Sequence, residues 1–173
     1  MSRRDAEAFA DFVAARSSAL HRAAYLMVGD AQLAQDLVQE ALTKTYVAWP
    51  RLRDPSRVEA YTRKAITTTA IGWFRKKSWG ERTVETMPDG GQAGHADDVD
   101  QRAWLWQALQ ELPVRQRAAI VLRYYEDLTE AQTADAMGCA VGTVKSQVSS
   151  GLRKLRDRLG ADVLPTDLIE VTR

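Results

Sequence analysis

Apolar residues recur every three to four positions through most of the chain, and no useful stretch alternates with the period of two that a half-buried strand requires. Phe9, Phe12, Val13, Leu20, Ala23, Ala24 and Met27 follow one helical period, which Gly29-Asp30 interrupts. Asp30 is placed to cap a second helix, whose stripe runs through Leu33, Ala34, Leu37, Val38, Ala41, Leu42 and Tyr46 as far as Trp49-Pro50; proline cannot continue a helix interior. A third helix is predicted from about Ser56 to Lys77. Its Thr67, Thr68 and Thr69 are poor helix formers, so tertiary packing must hold it. From Ser78 to Asp100 the chain turns polar, with Pro88, Gly90, Gly91 and Gly94, the pattern of a flexible linker. Helical period resumes at Arg102, with Trp104, Leu105, Ala108 and Leu109 before Leu112-Pro113, and Ala118, Ile120, Val121, Leu122, Tyr124 and Tyr125 after it.

The segment Leu128 to Arg158 has the form of a helix-turn-helix. Thr129 and Gln132 make the spacing of a capping box that starts a short helix, and Gly138 ends it. After the turn, Val141, Val144, Val148, Leu152 and Leu155 share one stripe of a longer helix, predicted to face the rest of the domain. The opposite face carries Thr143, Ser146, Gln147, Ser150, Arg153 and Lys154, short hydrogen-bonding groups and cations suited to base edges and phosphates. The expected fold is all-α: two small helical domains, residues 1–78 and 101–160, joined by a flexible linker over 79–100 and followed by a short tail over 161–173.

Composition narrows the chemistry. The 173 residues are 45% hydrophobic and 27% charged, ordinary for a globular chain. No apolar run approaches the roughly 20 residues of a membrane span, and Met1 to Glu7 leads into an amphipathic helix and not a signal-peptide core, so no membrane insertion and a cytoplasmic location are expected. The single cysteine, Cys139, excludes an internal disulfide, and His21 and His95 are too far apart to form a zinc-ligand spacing. With no glycine-rich phosphate loop and no nucleophile motif, neither a cofactor nor an enzymatic activity is expected.

Charge is segregated although the formal net charge is only +1. Arg63, Lys64, Arg75, Lys76, Lys77 and Arg82 form one basic cluster, and Lys145, Arg153, Lys154, Arg156 and Arg158 a second. Between them Glu85, Asp89, Asp97, Asp98 and Asp100 are acidic without a cation. Two basic patches fit two contact points on one polyanion.

At this point the residues carry a resemblance. Asp36-Leu37-Val38-Gln39-Glu40, then Ala60 to Lys64 and Ala70 to Lys77, resemble the second conserved region of bacterial sigma factors of the extracytoplasmic-function group, the fourth group of the sigma-70 family, and in particular its actinobacterial sigma-E members. Leu109 to Arg117, Leu122 to Leu128 and Val141 to Ser146 are similar to the fourth region of the same group. The two motif sets stand in the family's order across nearly the whole chain.

The resemblance implies a dissociable subunit of core RNA polymerase that directs promoter-specific initiation. It places Asp36, Leu37, Val38, Gln39 and Glu40 against the clamp helices of the beta-prime subunit, and the helix-turn-helix domain near the beta flap. It assigns the minus-ten element to Arg63, Lys64, Thr68, Trp73, Arg75, Lys76 and Lys77, with Trp73 either stacked on an unpaired base or buried in the core. It assigns the minus-thirty-five element to Arg117, Thr143, Lys145, Ser146, Gln147, Ser150, Arg153 and Lys154. Promoter DNA and core polymerase are the implied partners, with an anti-sigma factor as a third. The acidic residues 85–100 are read as either an occupant of a basic polymerase channel or a plain tether.

Four positions depart from the pattern. Thr68 and Gly72 stand where many relatives have asparagine and aspartate, Ala140 removes a capping serine, and Gln147 replaces an arginine, which exchanges a guanine or phosphate contact for one that suits adenine. The alternative function is a helix-turn-helix regulator that binds DNA without core polymerase; it accounts for Thr129 to Arg158 and leaves Asp36 to Lys77 unexplained.

Overall fold

The computed structural model describes residues 3–52, 54–80 and 99–160. Residues 81–98 of the expected linker, with Glu85, Asp89, Asp97 and Asp98, and the C-terminal tail lie outside the described residues, as does the side chain of Lys77; the ends of the expected linker are helical, 79–80 closing α3 and 99–100 opening α4. Helices α1 (Arg3–Val28), α2 (Ala31–Ala48) and α3 (Pro55–Gly80) come first, with a 3₁₀ turn at Trp49–Arg51; α4 (Val99–Glu111), α5 (Val114–Ile120), α6 (Glu130–Met137) and α7 (Val141–Leu159) follow. No strand occurs among the described residues.

The boundaries follow from local chemistry. Gly29, at φ +78°, closes α1 in the left-handed region, and Asp30 Oδ1 then accepts from the Leu33 N–H at 2.8 Å to open α2. Asp54 does similar work for α3: its carboxylate accepts from the Ser56 hydroxyl and N–H, bonds that hold it below the usual carboxylate range. The helix expected to span Ala118 to Tyr125 is instead α5 followed by a π-helical turn over Val121–Tyr125, closed by a Glu126 N–H to Val121 carbonyl bond of 3.0 Å and by Asp127 at φ 51°. The capping box is formed as the spacing predicts, Thr129 and Gln132 bonding each other's main chain at 2.9 and 3.2 Å, and Gly138 ends α6 at φ +63°.

The threonine-rich middle of α3 is held from both sides. Thr67 is fully buried, its hydroxyl bonded back to Arg63, and Thr69 accepts from Lys44 of α2 at 2.8 Å. One turn earlier, buried Thr62 meets buried Thr45 of α2, oxygen to oxygen, at 2.9 Å.

Two apolar clusters carry the fold. A smaller one joins Leu105, Ala108 and Leu109 of α4, and Leu112 just after it, to Ile120 and Leu155. Gly151 makes this packing possible, since a Cβ there would lie 2.6 Å from Ile120 Cδ1. The larger cluster runs without a break from Leu20, Met27, Leu37, Ile66 and Ala70 of the first unit into Ala118, Leu122, Ala134, Met137 and Val144 of the second. The two helical units are therefore packed on each other, which a helical period within each segment could not reveal.

Candidate nucleic-acid and partner interfaces

Three surfaces contain the residues singled out by the sequence. On α2, Asp36 and Gln39 are exposed, and Glu40 is half-exposed. Gln32 donates to Asp36 at 3.1 Å, and Lys44 pairs with Glu40 at 2.7 Å. Leu37 and Val38, named with them, have no exposure and sit in the main core, so their side chains offer nothing to a partner. Leu33, expected in the core, is 42% exposed and joins the outer face. Beside it α1 and α2 enclose a groove of about 510 Å³ lined by His21, Gln35, Gln39, Thr43 and Tyr46 among others.

On α3 the basic residues differ in their surroundings. Arg63 is half-buried and lies between two acids, with Glu59 at 3.0 Å on its own helix and Glu126 at 3.0 Å beyond the π turn. Lys64 pairs with Asp135 of α6 at 2.9 Å, and exposed Thr68 bonds its own hydroxyl back to the Lys64 carbonyl. Trp73 and Phe74 are half-buried against the main cluster. Arg75 and Lys76 are exposed beyond them.

On α7 the division into faces is sharp. Val144 and Leu155 are fully buried, and Val148 and Leu152 are half-buried on the same stripe. Val141, expected at the head of the stripe, is 39% exposed because it stands at the first turn, past the edge of α6. Lys145, Ser146, Arg153 and Lys154 are exposed on the outer side; Thr143, Gln147 and Ser150 are half-buried beside them. Lys145 reaches Glu130 only at 3.6 Å, and Ala140 provides no side-chain cap, as its methyl requires.

Arg117 departs furthest from expectation. It is not at a DNA-facing surface: only 5% exposed, it donates to the Met27 carbonyl at 3.0 Å and to the Leu112 and Gln110 carbonyls at 3.0 and 3.2 Å, and it also meets the Gln110 side chain. Its guanidinium carbon lies 5.6 Å from the centre of the Phe74 ring. Burial pushes its pKa down to about 10, so the group stays cationic at neutral pH. Its position follows from the burial of α5, whose last turn, Arg117 to Ile120, is buried on every side.

Sequence reasoning missed the residues that join the two units. Gln110 donates to the Leu26 carbonyl at 3.3 Å, and Trp106 stacks on Tyr25 with ring centres 4.6 Å apart. Glu126 and Asp135 meet cations 63 and 71 residues away, and no spacing rule reaches that far. The only available signal was their sign, opposite to that of the α3 cluster.

Two helical units in this order, the second ending in a helix-turn-helix with a polar, cationic outer face, define a DNA-binding type of protein. Two family descriptions match in series, Sigma-70 region 2 over residues 12–80 and Sigma-70, region 4 over residues 102–155. The RNA polymerase sigma-E factors of Streptomyces coelicolor and Streptomyces avermitilis are each 35% identical over 162 residues, 94% of this chain and 92% and 90% of theirs. The RNA polymerase sigma factor SigV of Bacillus subtilis is 31% identical over 143 residues, 80% of this chain and 83% of its own. Among solved structures, the sigma factor RpoE of Bartonella quintana, in complex with the anti-sigma factor NepR, shares the fold with a TM-score of 0.70 at 23% identity, over 91% of this chain and 99% of that one. The chain belongs to the sigma-70 family, in its extracytoplasmic-function group. It is a sigma factor, a subunit that joins core RNA polymerase and directs promoter-specific initiation, and not an enzyme. A regulator acting without polymerase would leave the match over residues 12–80 without a purpose. No helix among the described residues is long and apolar enough to cross a membrane.

Proposed function

We propose that three surfaces divide the work of initiation. The outer face of α2, with Asp36, Gln39 and Glu40 as its polar groups, meets the clamp helices of core polymerase. Arg63, Lys64, Thr68, Arg75, Lys76 and Lys77 of α3 meet the minus-ten element. The outer face of α7, with Thr143, Lys145, Ser146, Gln147, Ser150, Arg153 and Lys154, enters the major groove at the minus-thirty-five element while its domain rests near the beta flap. In this reading the first domain covers residues 1–78, the linker 79–100 and the second domain 101–160. The chain works in the cytoplasm, where core polymerase is.

The observation that carries this reading is the two-sided character of α7: its apolar stripe is consumed by its own domain, and the opposite side presents cations and hydrogen-bonding groups to solvent. The exposed acids of α2 support the polymerase contact in the same way. An anti-sigma factor is a further partner in this reading; the relatives RpoE and CnrH were solved with NepR and with the cytosolic domain of CnrY.

Run-off transcription tests it. Purified core polymerase plus this chain alone, on a genomic promoter library, is expected to yield discrete transcripts that share two upstream elements. Initiation only when another sigma factor is added would refute the reading.

A further inference from the structure

Gly72 and Gly151 both stand inside helices, and only one of them is explained by the fold. At Gly151 of α7 an added Cβ would lie 2.6 Å from Ile120 Cδ1, so packing accounts for the missing side chain. At Gly72, in the body of α3, nothing lies within 4 Å of an added Cβ, and its φ lies outside the left-handed region that favours glycine. Glycine in a helix interior weakens the helix relative to alanine. The fold is therefore weaker at Gly72 with no gain in packing.

The surroundings of Gly72 supply a reason of another kind. It stands four residues after exposed Thr68 and three and four before exposed Arg75 and Lys76, on the outer side of a helix whose inner side carries buried Ile66, Thr67 and Ala70. Thr68 turns its hydroxyl back to the Lys64 carbonyl at 2.7 Å. Thr68 and the bare Cα of Gly72 thus form a floor without charge, and two cations stand one turn further along. A nucleotide has the matching parts, a flat face for the floor and a phosphate for the cations.

We propose that Gly72 is a close-approach point for the minus-ten DNA, where one nucleotide of the displaced strand lies flat against the main chain of α3 and Arg75 and Lys76 hold its phosphates. The proposal rests on the assignment of α3 to the minus-ten element. Gly72 contributes no hydrogen bond, because its main-chain groups belong to the helix. What it contributes is room: the strand comes nearer to the helix axis here than any side chain would allow, and the neighbouring cations reach the phosphates at that depth.

The test uses the full chain joined to core polymerase. The probe is a promoter recovered by run-off transcription, with its strands mismatched across the minus-ten element so that melting does not enter. Gly72→Ala is expected to raise the melting temperature of the free chain, to leave co-purification with core polymerase unchanged, and to weaken binding of the probe about three- to tenfold. Gly72→Leu should weaken binding further. Stability and DNA affinity then move in opposite directions, which a structural glycine does not produce. Arg75→Ala with Lys76→Ala serves as the reference for α3 as a whole. Natural binding by both glycine variants, with loss in the double cation variant, would overturn the close approach and leave the α3 assignment standing. Natural binding by all of them would overturn that assignment as well. Loss in the glycine variants alone would keep the seat and overturn the phosphate grip. A Gly72→Ala chain that melts earlier, or joins core polymerase less well, would make Gly72 a structural residue and overturn the proposal.

Discussion

The guanidinium of Arg117 donates to the main-chain carbonyl of Met27 at 3.0 Å, across the seam between the first three helices and the last four. The same group satisfies carbonyls of Gln110 and Leu112, so one side chain organises the α4–α5 corner and docks it onto the end of α1. Arg117→Ala is expected to cost about 2–4 kcal/mol, the sum of a cavity and several stranded carbonyls. Arg117→Met should cost less, since it refills the volume without restoring the bonds. Urea denaturation of both variants checks the order.

The same residue gives a pH signature. Burial lowers its folded pKa from the ordinary arginine range to about 10, so above that pH the unfolded chain holds the extra proton, and this group's contribution to stability rises with pH. The stability advantage of the natural chain over Arg117→Met should be flat from pH 6 to 8 and grow as pH passes about 10. A difference that shrinks there would mean that burial does not set this pKa.

Glycines in helices should separate by their surroundings. Alanine gains about 1 kcal/mol over glycine in a helix interior. At Gly142 nothing lies within 4 Å of an added Cβ, so Gly142→Ala should stabilise by up to about that amount. At Gly151 the new carbon would meet Ile120 Cδ1 at 2.6 Å and Gln116 Cβ at 3.4 Å, and Ile120 is buried with no space to retreat. Overpacking of roughly 1–3 kcal/mol should outweigh the helical gain and lower the melting temperature.

These contrasts show what a sequence can carry. Caps and stripes were legible because their causes lie within four residues: Asp30, the Thr129–Gln132 box, Gly138, and the buried run of Val144 and Leu155 all follow from spacing. Leu37 and Val38 show the limit of motif reading, since the pentapeptide Asp36 to Glu40 mixes three residues that face out with two that face in. Arg117 shows another, because a cation in a DNA-binding segment reads as a phosphate contact until its carbonyl partners, distant in sequence, are placed around it. The seam between the units was not legible at all. It depends on Tyr25 against Trp106 and Lys64 against Asp135, pairs whose members come from opposite sides of the linker.

The α2 surface gives a contrast between contact and packing. Asp36→Arg with Glu40→Arg should reduce core-polymerase binding by more than tenfold while leaving stability nearly unchanged, because Asp36 is exposed and the Glu40–Lys44 pair is a surface pair worth about 0.5 kcal/mol. Leu37→Ala should do the reverse, losing roughly 2–5 kcal/mol of stability from a side chain with no exposure. Co-purification with core polymerase and thermal melting together decide it. Natural affinity in the double variant would move the contact off this helix.

On α7, Gln147 and Arg153 both belong to the outer side, yet their expected effects differ in kind. Gln147 is half-buried, and its amide can present a donor and an acceptor together, the pair that adenine offers in the major groove. Gln147→Ala should therefore relax preference at one or two adjacent base pairs by about 1–3 kcal/mol and leave other positions alone. Arg153 is exposed, six residues and nearly two turns further along, where a helix entering the groove by its N-terminal end has returned to the phosphate backbone. Arg153→Ala should weaken all sequences alike and reduce the slope of log affinity against log salt by about one. Binding of the full chain to a randomised duplex library at two salt concentrations separates the two. An equal loss on every sequence for Gln147→Ala would place that side chain off the bases, and a sequence-selective loss for Arg153→Ala would shift the reading frame of α7 in the groove toward its C-terminal end.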